Sequence, residues 1–278
     1  MLKRIDAYKK KIDAYRPFGP ELLPSIQAYY RVGLTYTSNA LEGVSYSESE
    51  TKVLLEDGLT VGGKHLRDAL AVVGHAKAYD HMFSLLHKHK IDIQDLVDMH
   101  ALLADGLERG EAGKYRDKQI FVTGTSYVFP APADVPERMQ AFQEWMDDER
   151  GKLHPVVFAA QVHNNFLNIH PFGDGNGRIG RLAMNTALIQ EGYLPVIIPP
   201  ILRPEYMDAI KEAQMFKNDA VFQAFVELCE IEVQKEMLPM LRGTDKQAEN
   251  NSMPDDDVAD DADISPGYAK PSPLLNTC

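Results

Sequence analysis

The segment His170–Arg181 constrains this chain more than any other, because its residues spell HPFGDGNGRIGR. It combines an imidazole, a carboxylate, an amide, two guanidiniums and four glycines. Glycine lets the backbone turn tightly and approach a ligand closely. From Gly177 onward, apolar residues recur at helical spacing, which predicts a glycine-rich turn that leads into a helix. Such a turn binds anions, because free N–H groups and the positive end of the helix dipole point to the ligand.

The charged side chains of this segment predict a site for a nucleotide polyphosphate. Arg178 and Arg181 lie three positions apart on the first turn, so both can reach one anion. Asp174 stands at the mouth of the turn and is a candidate ligand for Mg²⁺ or Mn²⁺, which both bind carboxylate oxygen. His170 precedes the turn and is placed to act as a general base.

Two alternatives compete with this interpretation. Gly175–Gly180 also matches the G-x-G-x-x-G pattern of dinucleotide-binding domains, which requires a preceding strand and an acidic residue after a second strand. Here a helical pattern precedes the glycines, and Glu191 follows too early, on what is predicted to be the same helix. The second alternative is a plain glycine-rich connection between helices with solvated arginines. The density of reactive side chains argues against it.

The same residues resemble a known signature at every fixed position: the Fic family pattern H-x-F-x-[D/E]-G-N-G-R-x-x-R. The resemblance extends from the second predicted helix to the last. It implies an all-α Fic-type helical bundle with a small β-hairpin flap. It also implies a protein adenylyltransferase, an enzyme that moves AMP from ATP onto a Ser, Thr or Tyr hydroxyl of a target protein.

The resemblance assigns a role to individual residues. His170 would be the general base, Asp174 the Mg²⁺ ligand, and Arg178 and Arg181 would hold the β- and γ-phosphates. Tyr206 is expected at the adenine, and Gln214 stands where the family has an asparagine. The residues assigned to ATP binding are Gly175, Asn176, Gly177, Arg178, Ile179, Gly180, Arg181, Tyr206 and Gln214, with Asn176 adding a side-chain donor.

A second short motif lies at the end of the helix predicted over residues 21–41. Glu42 would face the negative end of the helix dipole, and Gly43 is a candidate left-handed cap. Local chemistry leaves open whether Glu42 is solvated or partnered. Ser38-x-x-x-Glu42-Gly43 resembles the inhibitory motif [S/T]-x-x-x-E-[G/N] of Fic proteins, which implies that Glu42 pairs with Arg181 and keeps it from the γ-phosphate. As a variant, Glu42 could position water so that the same site removes AMP from the target.

Residues 109–133 differ from their helical surroundings. Ile120–Thr123 is β-prone, and Tyr127–Phe129 leads to Pro130, which together predict a small hairpin. The alternative is an irregular connection between helices. The family resemblance implies a flap that aligns the target by strand-type backbone pairing. Its binding edge is expected at Thr123, Gly124, Thr125 and Ser126.

Composition bounds the remaining possibilities. The formal net charge of −12 argues against nucleic-acid or anionic-membrane partners. Two cysteines form neither a disulfide framework nor a zinc site, and no signal-peptide-like or membrane-spanning run occurs, so we expect a cytoplasmic location. Exposed or capping roles are favoured over a metal site for a group of histidines. These are His75, His81, His87 and His89.

The predicted organisation has three parts. Residues 1–62 hold the N-terminal helices with the inhibitory motif, 63–240 form the catalytic core, and 241–278 form an acidic, proline-containing disordered tail. The expected partners are ATP and a target protein, which could be the chain itself, and a homo-oligomer remains open. Other functions also remain open: transfer of UMP, phosphocholine or phosphate, or a non-catalytic nucleotide-sensing regulator.

Overall fold

The structure, a computed structural model, describes residues 1–20, 22–88, 90–107 and 110–244. These residues form helices only, and no strand occurs among them. The α-helices are α1 Leu2–Asp13, α2 Leu22–Leu41, α3 Glu48–Asp57, α4 Leu66–Ser84, α5 Ile93–Leu103, α6 Val135–Glu149, α7 Pro155–Ile169, α8 Asn176–Gln190, α9 Arg203–Phe216 and α10 Asp219–Thr244. Short 3₁₀ helices span Leu85–His87, Pro132–Asp134 and Pro200–Leu202.

The centre of the bundle is the pair α7 and α8, which the HPFGDGNGRIGR segment joins. Almost every residue of α8 is buried, because α8 is surrounded by α2, α4, α5 and α7. A helix that is covered on all sides can expose only its two ends. The signature loop lies at the N-terminal end of α8, so a ligand can reach the helix there. The all-α prediction is therefore confirmed, and the bundle holds the signature loop at one end of its most buried helix.

The inhibitory motif forms the end of α2. Gly43 adopts a left-handed φ of 87°, its N–H donates to Ala40 O at 3.0 Å, and Val44 N–H donates to Asn39 O at 3.1 Å. These two bonds are those of a Schellman motif, which satisfies the last carbonyls of a helix. The predicted left-handed cap is confirmed, and it directs the residue before it, Glu42, out of the helix.

The predicted β-hairpin is not formed. No backbone hydrogen bond joins the two arms of the loop 117–131, although both arms are described. Phe121 is 91% exposed and Val128 83% exposed, so the β-prone residues pack against no surface that could hold two strands together. Two isolated strands are only marginally stable in water. The segment is therefore the irregular connection that the sequence left as an alternative.

The N-terminal helices belong to the same compact unit as the rest of residues 1–244, with α1 packed on α10 and α2 on α4. The division predicted between residues 62 and 63 stays a prediction. Residues 241–244, predicted to begin the tail, belong to α10, and the rest of the tail lies outside the described residues. None of the helices in the described part of the chain has the length and apolarity that a membrane span requires.

Gly74 provides a test of how tightly this bundle is packed. A β-carbon on Gly74 would collide with the backbone carbonyl of Leu103, because α4 and α5 cross there. We expect Gly74→Ala to lower the free energy of unfolding by about 1–3 kcal/mol through overpacking, although alanine favours a helix. Urea unfolding monitored by circular dichroism measures this, with Gly62→Ala, which meets no neighbour, as the control. Equal stability of both variants would contradict the close crossing.

Candidate active site

The loop between α7 and α8 is held by its own side chains and by two left-handed residues. His170 ends α7 with a φ of 51°, and Gly175 precedes α8 with a φ of 80°. The amide of Asn176 bonds Phe172 twice, donating to its carbonyl at 2.9 Å and accepting from its N–H at 3.0 Å. These two bonds make Asn176 a residue that fixes the loop, and the second N–H of its amide is not used by them.

His170 lies in the part of the loop closest to residues 117–131. Its ring is 4.7 Å from the ring of Phe129, and its Nδ1 is 3.4 Å from Leu167 O. A carbonyl only accepts hydrogen bonds, so the proton resides on Nδ1 and Nε2 keeps its lone pair. Burial lowers the pKa of His170 from 6.5 to about 4. The imidazole is therefore neutral at physiological pH.

Asp174 lies at the mouth of the loop, and its side chain is 50% exposed. One carboxylate oxygen accepts from Gly175 N–H at 2.6 Å. The other oxygen lies 3.3 Å from Arg178 Nη2 and 3.5 Å from Arg67 Nη2. Arg67 is an exposed residue of α4 that sequence reasoning missed.

The site offers a magnesium ion one carboxylate, that of Asp174. No group of three His, Cys, Asp or Glu side chains able to hold a metal is found in the described ranges. Asp174 therefore offers one carboxylate, and an ion there must take its other ligands from phosphate oxygens and water. Mg²⁺ prefers such sites, with one or two carboxylates and several waters. Asp174 thus fits Mg²⁺ bound together with a nucleotide.

Arg178 lies beneath the mouth of the loop and is 5% exposed. Its Nε has no hydrogen-bond partner in the described parts of the chain, although it is buried. An unpaired buried donor of a charged group is costly, and each one in a folded protein requires an explanation. The Nη2 of the same guanidinium lies 3.3 Å from Asp174 Oδ2, so this side chain reaches the mouth of the loop, where an anion can approach it.

Arg181 is the second buried arginine of α8, and three other residues accept hydrogen bonds from its guanidinium. Its Nε donates to Ser38 Oγ at 2.9 Å, and its Nη2 donates to Ser38 O at 2.9 Å and to Glu42 Oε1 at 2.7 Å. Its Nη1 donates to the Tyr206 hydroxyl at 3.1 Å. The structure thus brings together the three polar residues that the sequence connected: Ser38, Glu42 and Arg181.

Glu42 itself lies over the first turn of α8. One carboxylate oxygen is so close to the α-carbon of Gly177 that any side chain at this position would collide with it. The positive end of the α8 dipole and the Arg181 guanidinium stabilise a carboxylate there. Glu42 lies at the negative end of the α2 dipole, which is unfavourable for a carboxylate. The α8 dipole and Arg181 compensate for this repulsion. The Glu42 side chain remains 38% exposed, so the ion pair is only partly shielded from water.

The other residues assigned to ATP binding lie deeper than expected. Ile179 is fully buried, and Gly180 lets α8 approach α7, since a β-carbon would lie 3.3 Å from Leu167. Tyr206 is 2% exposed, and its hydroxyl is 2.9 Å from His163 Nε2. Tyr206 therefore supports Arg181 from the core, while Gln214 lies half-buried further along α9.

The four residues predicted as the target-binding edge lie at the tip of loop 117–131. Gly124 has a left-handed φ of 87°, and Thr125 Oγ1 accepts from Tyr127 N–H at 3.1 Å, so the tip is a tight turn. Thr123, Gly124 and Ser126 are exposed. Ser126 Oγ lies 3.8 Å from Met215 Sδ, which places the tip beside the end of α9.

His100 is a further residue of the site that the sequence did not reveal. It accepts from Gly113 N–H at Nδ1, at 3.0 Å, which leaves the proton on Nε2 to donate to Asp174 O at 3.2 Å. Its ring stacks on Phe172 at 3.7 Å. His100 therefore ties α5 to both sides of the loop. No local pattern could predict this role, because its partners come from distant segments.

Comparison with known proteins identifies the family. Residues 90–188 match the model of the Fic/DOC family. This chain contains a Fic domain. It is 36% identical over 193 residues to proteins named protein adenylyltransferase Fic from Drosophila willistoni and Drosophila melanogaster. The match covers 69% of this chain and 38% of each relative, so the chain spans well under half of their length.

Solved structures share the fold of this Fic domain. A solved chain of Fic-1 from C. elegans, residues 134–508, is 25% identical with a TM-score of 0.73, and the match covers 90% of this chain and 73% of that one. A Fic domain containing signaling protein from Bacteroides thetaiotaomicron is 23% identical with a TM-score of 0.78, covering 86% of this chain and 98% of that one. The helical Fic-type fold predicted from the sequence is therefore confirmed.

Buried histidines make the stability of this Fic domain depend on pH. Burial lowers the pKa of His75 and His163 to about 3, and that of His100 and His170 to about 4. The unfolded chain takes up protons near pH 6.5 that the folded chain refuses. The stability that these residues contribute is complete above pH 6.5 and falls as the pH drops toward 4, by about 1.4 kcal/mol per pH unit for each histidine.

Urea unfolding between pH 7.5 and 5 tests this dependence. Burial raises the pKa of Glu230 to about 8, so this residue acts in the opposite direction and adds stability as the pH falls. Glu230→Gln should therefore make the loss of stability on acidification steeper. A free energy of unfolding that stays constant between pH 6.5 and 5, in both proteins, would show that the histidines titrate normally.

Proposed function

We propose that this Fic domain is a protein adenylyltransferase that moves AMP from ATP to a Ser, Thr or Tyr hydroxyl of a target protein. The observation that carries the proposal is the neutral His170 beside a loop whose buried Arg178 has an unpaired donor. A neutral imidazole can accept a proton, and a buried guanidinium with a spare donor can bind an anion. The relatives named protein adenylyltransferase support the same chemistry.

The reaction follows from the atoms available. His170 Nε2, which carries the free lone pair, accepts the proton of the target hydroxyl, and the hydroxyl oxygen attacks the α-phosphorus as pyrophosphate leaves. General-base catalysis of this kind contributes about 10²–10⁴-fold. Arg178 would hold the β-phosphate and Arg181 the γ-phosphate. Mg²⁺, or Mn²⁺, bound at Asp174 would neutralise charge on the phosphates.

We further propose that α2 inhibits this reaction. Arg181 cannot hold a γ-phosphate while Ser38, Glu42 and Tyr206 occupy its donors. The Glu42 carboxylate also lies over the turn of α8 where phosphate oxygens would bind, so the two anions repel each other. A partly exposed ion pair is a weak interaction by itself. The inhibition therefore depends on the combined occupation of Arg181 and of the space beside Gly177.

The target protein would bind along loop 117–131. No backbone hydrogen bond joins the two arms in the described structure. Lys118 O, Phe129 O and Pro130 O accept from side chains, so the backbone groups of Ile120, Phe121 and Val128 are those that would pair with an extended target segment. Exposed Phe121 and Val128 would give that segment an apolar contact on each arm. The chain itself is a candidate target. The expectations about oligomeric state, cytoplasmic location, and the lack of nucleic-acid and membrane partners rest on sequence alone and stay predictions.

Replacing Glu42 tests the inhibition. We expect Glu42→Gly to raise AMP transfer by about 10–100-fold, equivalent to about 1.4–2.7 kcal/mol, because it frees the Nη2 donor of Arg181 that Glu42 holds and removes the competing carboxylate. The measurement is mass spectrometry of AMP added to the chain or to lysate proteins after incubation with ATP and Mg²⁺. Glu56→Gly, at an exposed position of α3, is the control. An unchanged or lower rate for Glu42→Gly would remove the inhibitory role.

Replacing His170 tests the base. In the Glu42→Gly background, we expect His170→Ala to lower AMP transfer by at least about 100-fold and to leave ATP binding within about twofold. Label from α-labelled ATP should enter protein, while label from γ-labelled ATP should not. Protein labelled from the γ-position would indicate a kinase instead. Transfer that survives His170→Ala would contradict the general-base mechanism.

A further inference from the structure

We propose that Arg116 is a positioning residue that fixes loop 117–131, the proposed target-binding loop, relative to the base His170. No sequence pattern assigned this role to Arg116. The proposal rests on the proposed function where it concerns catalysis. Its structural part, the mechanical link between the loop and His170, stands independently.

Arg116 bonds three separate segments with one guanidinium. Nε donates to His170 O at 2.8 Å, Nη1 donates to Lys118 O at 3.0 Å, and Nη2 donates to Pro130 O at 2.6 Å. Lys118 belongs to the first arm of the loop and Pro130 to the second. One side chain therefore holds both arms of the loop at a fixed distance from the backbone of His170.

The backbone of Arg116 strengthens the same link. Its N–H donates to Pro171 O at 2.9 Å, directly after the base. His170 has a left-handed φ of 51°, which is unusual for a residue with a β-carbon and must be held in place by its surroundings. Its N–H bonds Phe166 O at 3.0 Å, and its carbonyl bonds Arg116. Arg116 thus supplies one of the two hydrogen bonds that fix the backbone of the base.

The electrostatics indicate a positioning role rather than a stabilising one. Arg116 is 4% exposed, and none of the ion pairs among the described residues includes it. Burial without a carboxylate partner costs free energy, and three carbonyl acceptors compensate for only part of that cost. A neutral side chain is sufficient to link the two arms, because Gln119 Nε2 on the first arm donates to Phe129 O on the second at 3.2 Å.

The link also reaches the catalytic side chain. Phe129 precedes Pro130, which Arg116 holds, and the Phe129 ring lies 4.7 Å from the His170 ring. Movement of the second arm would therefore change the contact that fixes the imidazole. A target hydroxyl must reach Nε2 within hydrogen-bond distance, and small displacements of such groups are costly in rate. Arg116 would keep the target segment and the base in register.

The first test separates positioning from nucleotide binding. Lysine keeps the charge at position 116 but places its donors on one atom, so it cannot reach three carbonyls as the guanidinium does. In the Glu42→Gly background, we compare AMP incorporated into total protein with free AMP released by hydrolysis of ATP. We expect Arg116→Lys to lower the ratio of incorporation to hydrolysis by at least about fivefold and to change the ATP dissociation constant by less than about twofold.

Arg150→Lys is the matched control, because Arg150 is also well buried but contacts Gln190 and Glu191 far along the chain from the loop. It should leave the ratio unchanged. An unchanged ratio in Arg116→Lys would overturn the proposal, whether or not ATP binding becomes weaker. If the Glu42→Gly protein itself transfers no AMP, the proposed function fails, and the second test alone decides the role of Arg116.

The second test needs no activity. In the ligand-free native chain, hydrogen–deuterium exchange should be slower than in Arg116→Lys and Arg116→Met for peptides that cover 117–131 and 168–175, by about threefold or more. Peptides from α10 should exchange equally in all proteins. Exchange that rises in only one of the two segments would show that Arg116 does not couple them. A rise throughout the chain would show a merely structural role.

Discussion

A buried guanidinium must find hydrogen-bond acceptors, and the choice of acceptors for Arg181 determines what this site can do. In the ligand-free chain, Ser38 and Glu42 from α2 and Tyr206 from α9 supply them. Because Arg181 projects from the most buried helix, these acceptors connect three helices at one point. If Arg181 holds a phosphate as we propose, that phosphate would have to displace the acceptors that Ser38 and Glu42 supply. In the proposed mechanism, the contact between α2 and Arg181 would both stabilise the fold and oppose the ligand.

The proposed base, His170, would work under the opposite requirement, because its position must stay the same throughout the reaction. The loop that carries His170 is fixed by Asn176, which bonds Phe172 twice, and by His100, which bonds the loop from α5. Burial lowers the pKa of His170 to about 4, so the imidazole is neutral before any substrate arrives. In the proposed mechanism, the fixed and neutral imidazole would stay in place while ATP displaces the Glu42 carboxylate.

Local chemistry decided what the sequence could predict. The end of α2 follows from Gly43, and the turn before α8 follows from its glycines, because both depend on neighbouring residues. The irregular form of loop 117–131 depends on the lack of any surface behind Phe121, which residue propensities do not record. The bonds of Arg116 and the burial of Tyr206 depend on distant segments, so spacing along the chain could not reveal them.

The most direct measurement of the central claim compares ATP with ADP by calorimetry, because the two nucleotides differ only in the γ-phosphate that Arg181 would hold. In the native chain, the account predicts dissociation constants for ATP and ADP within about twofold of each other. In Glu42→Gly it predicts that ATP binds at least about tenfold more tightly than ADP. The same ratio in both proteins would show that Glu42 does not control access of the γ-phosphate to Arg181.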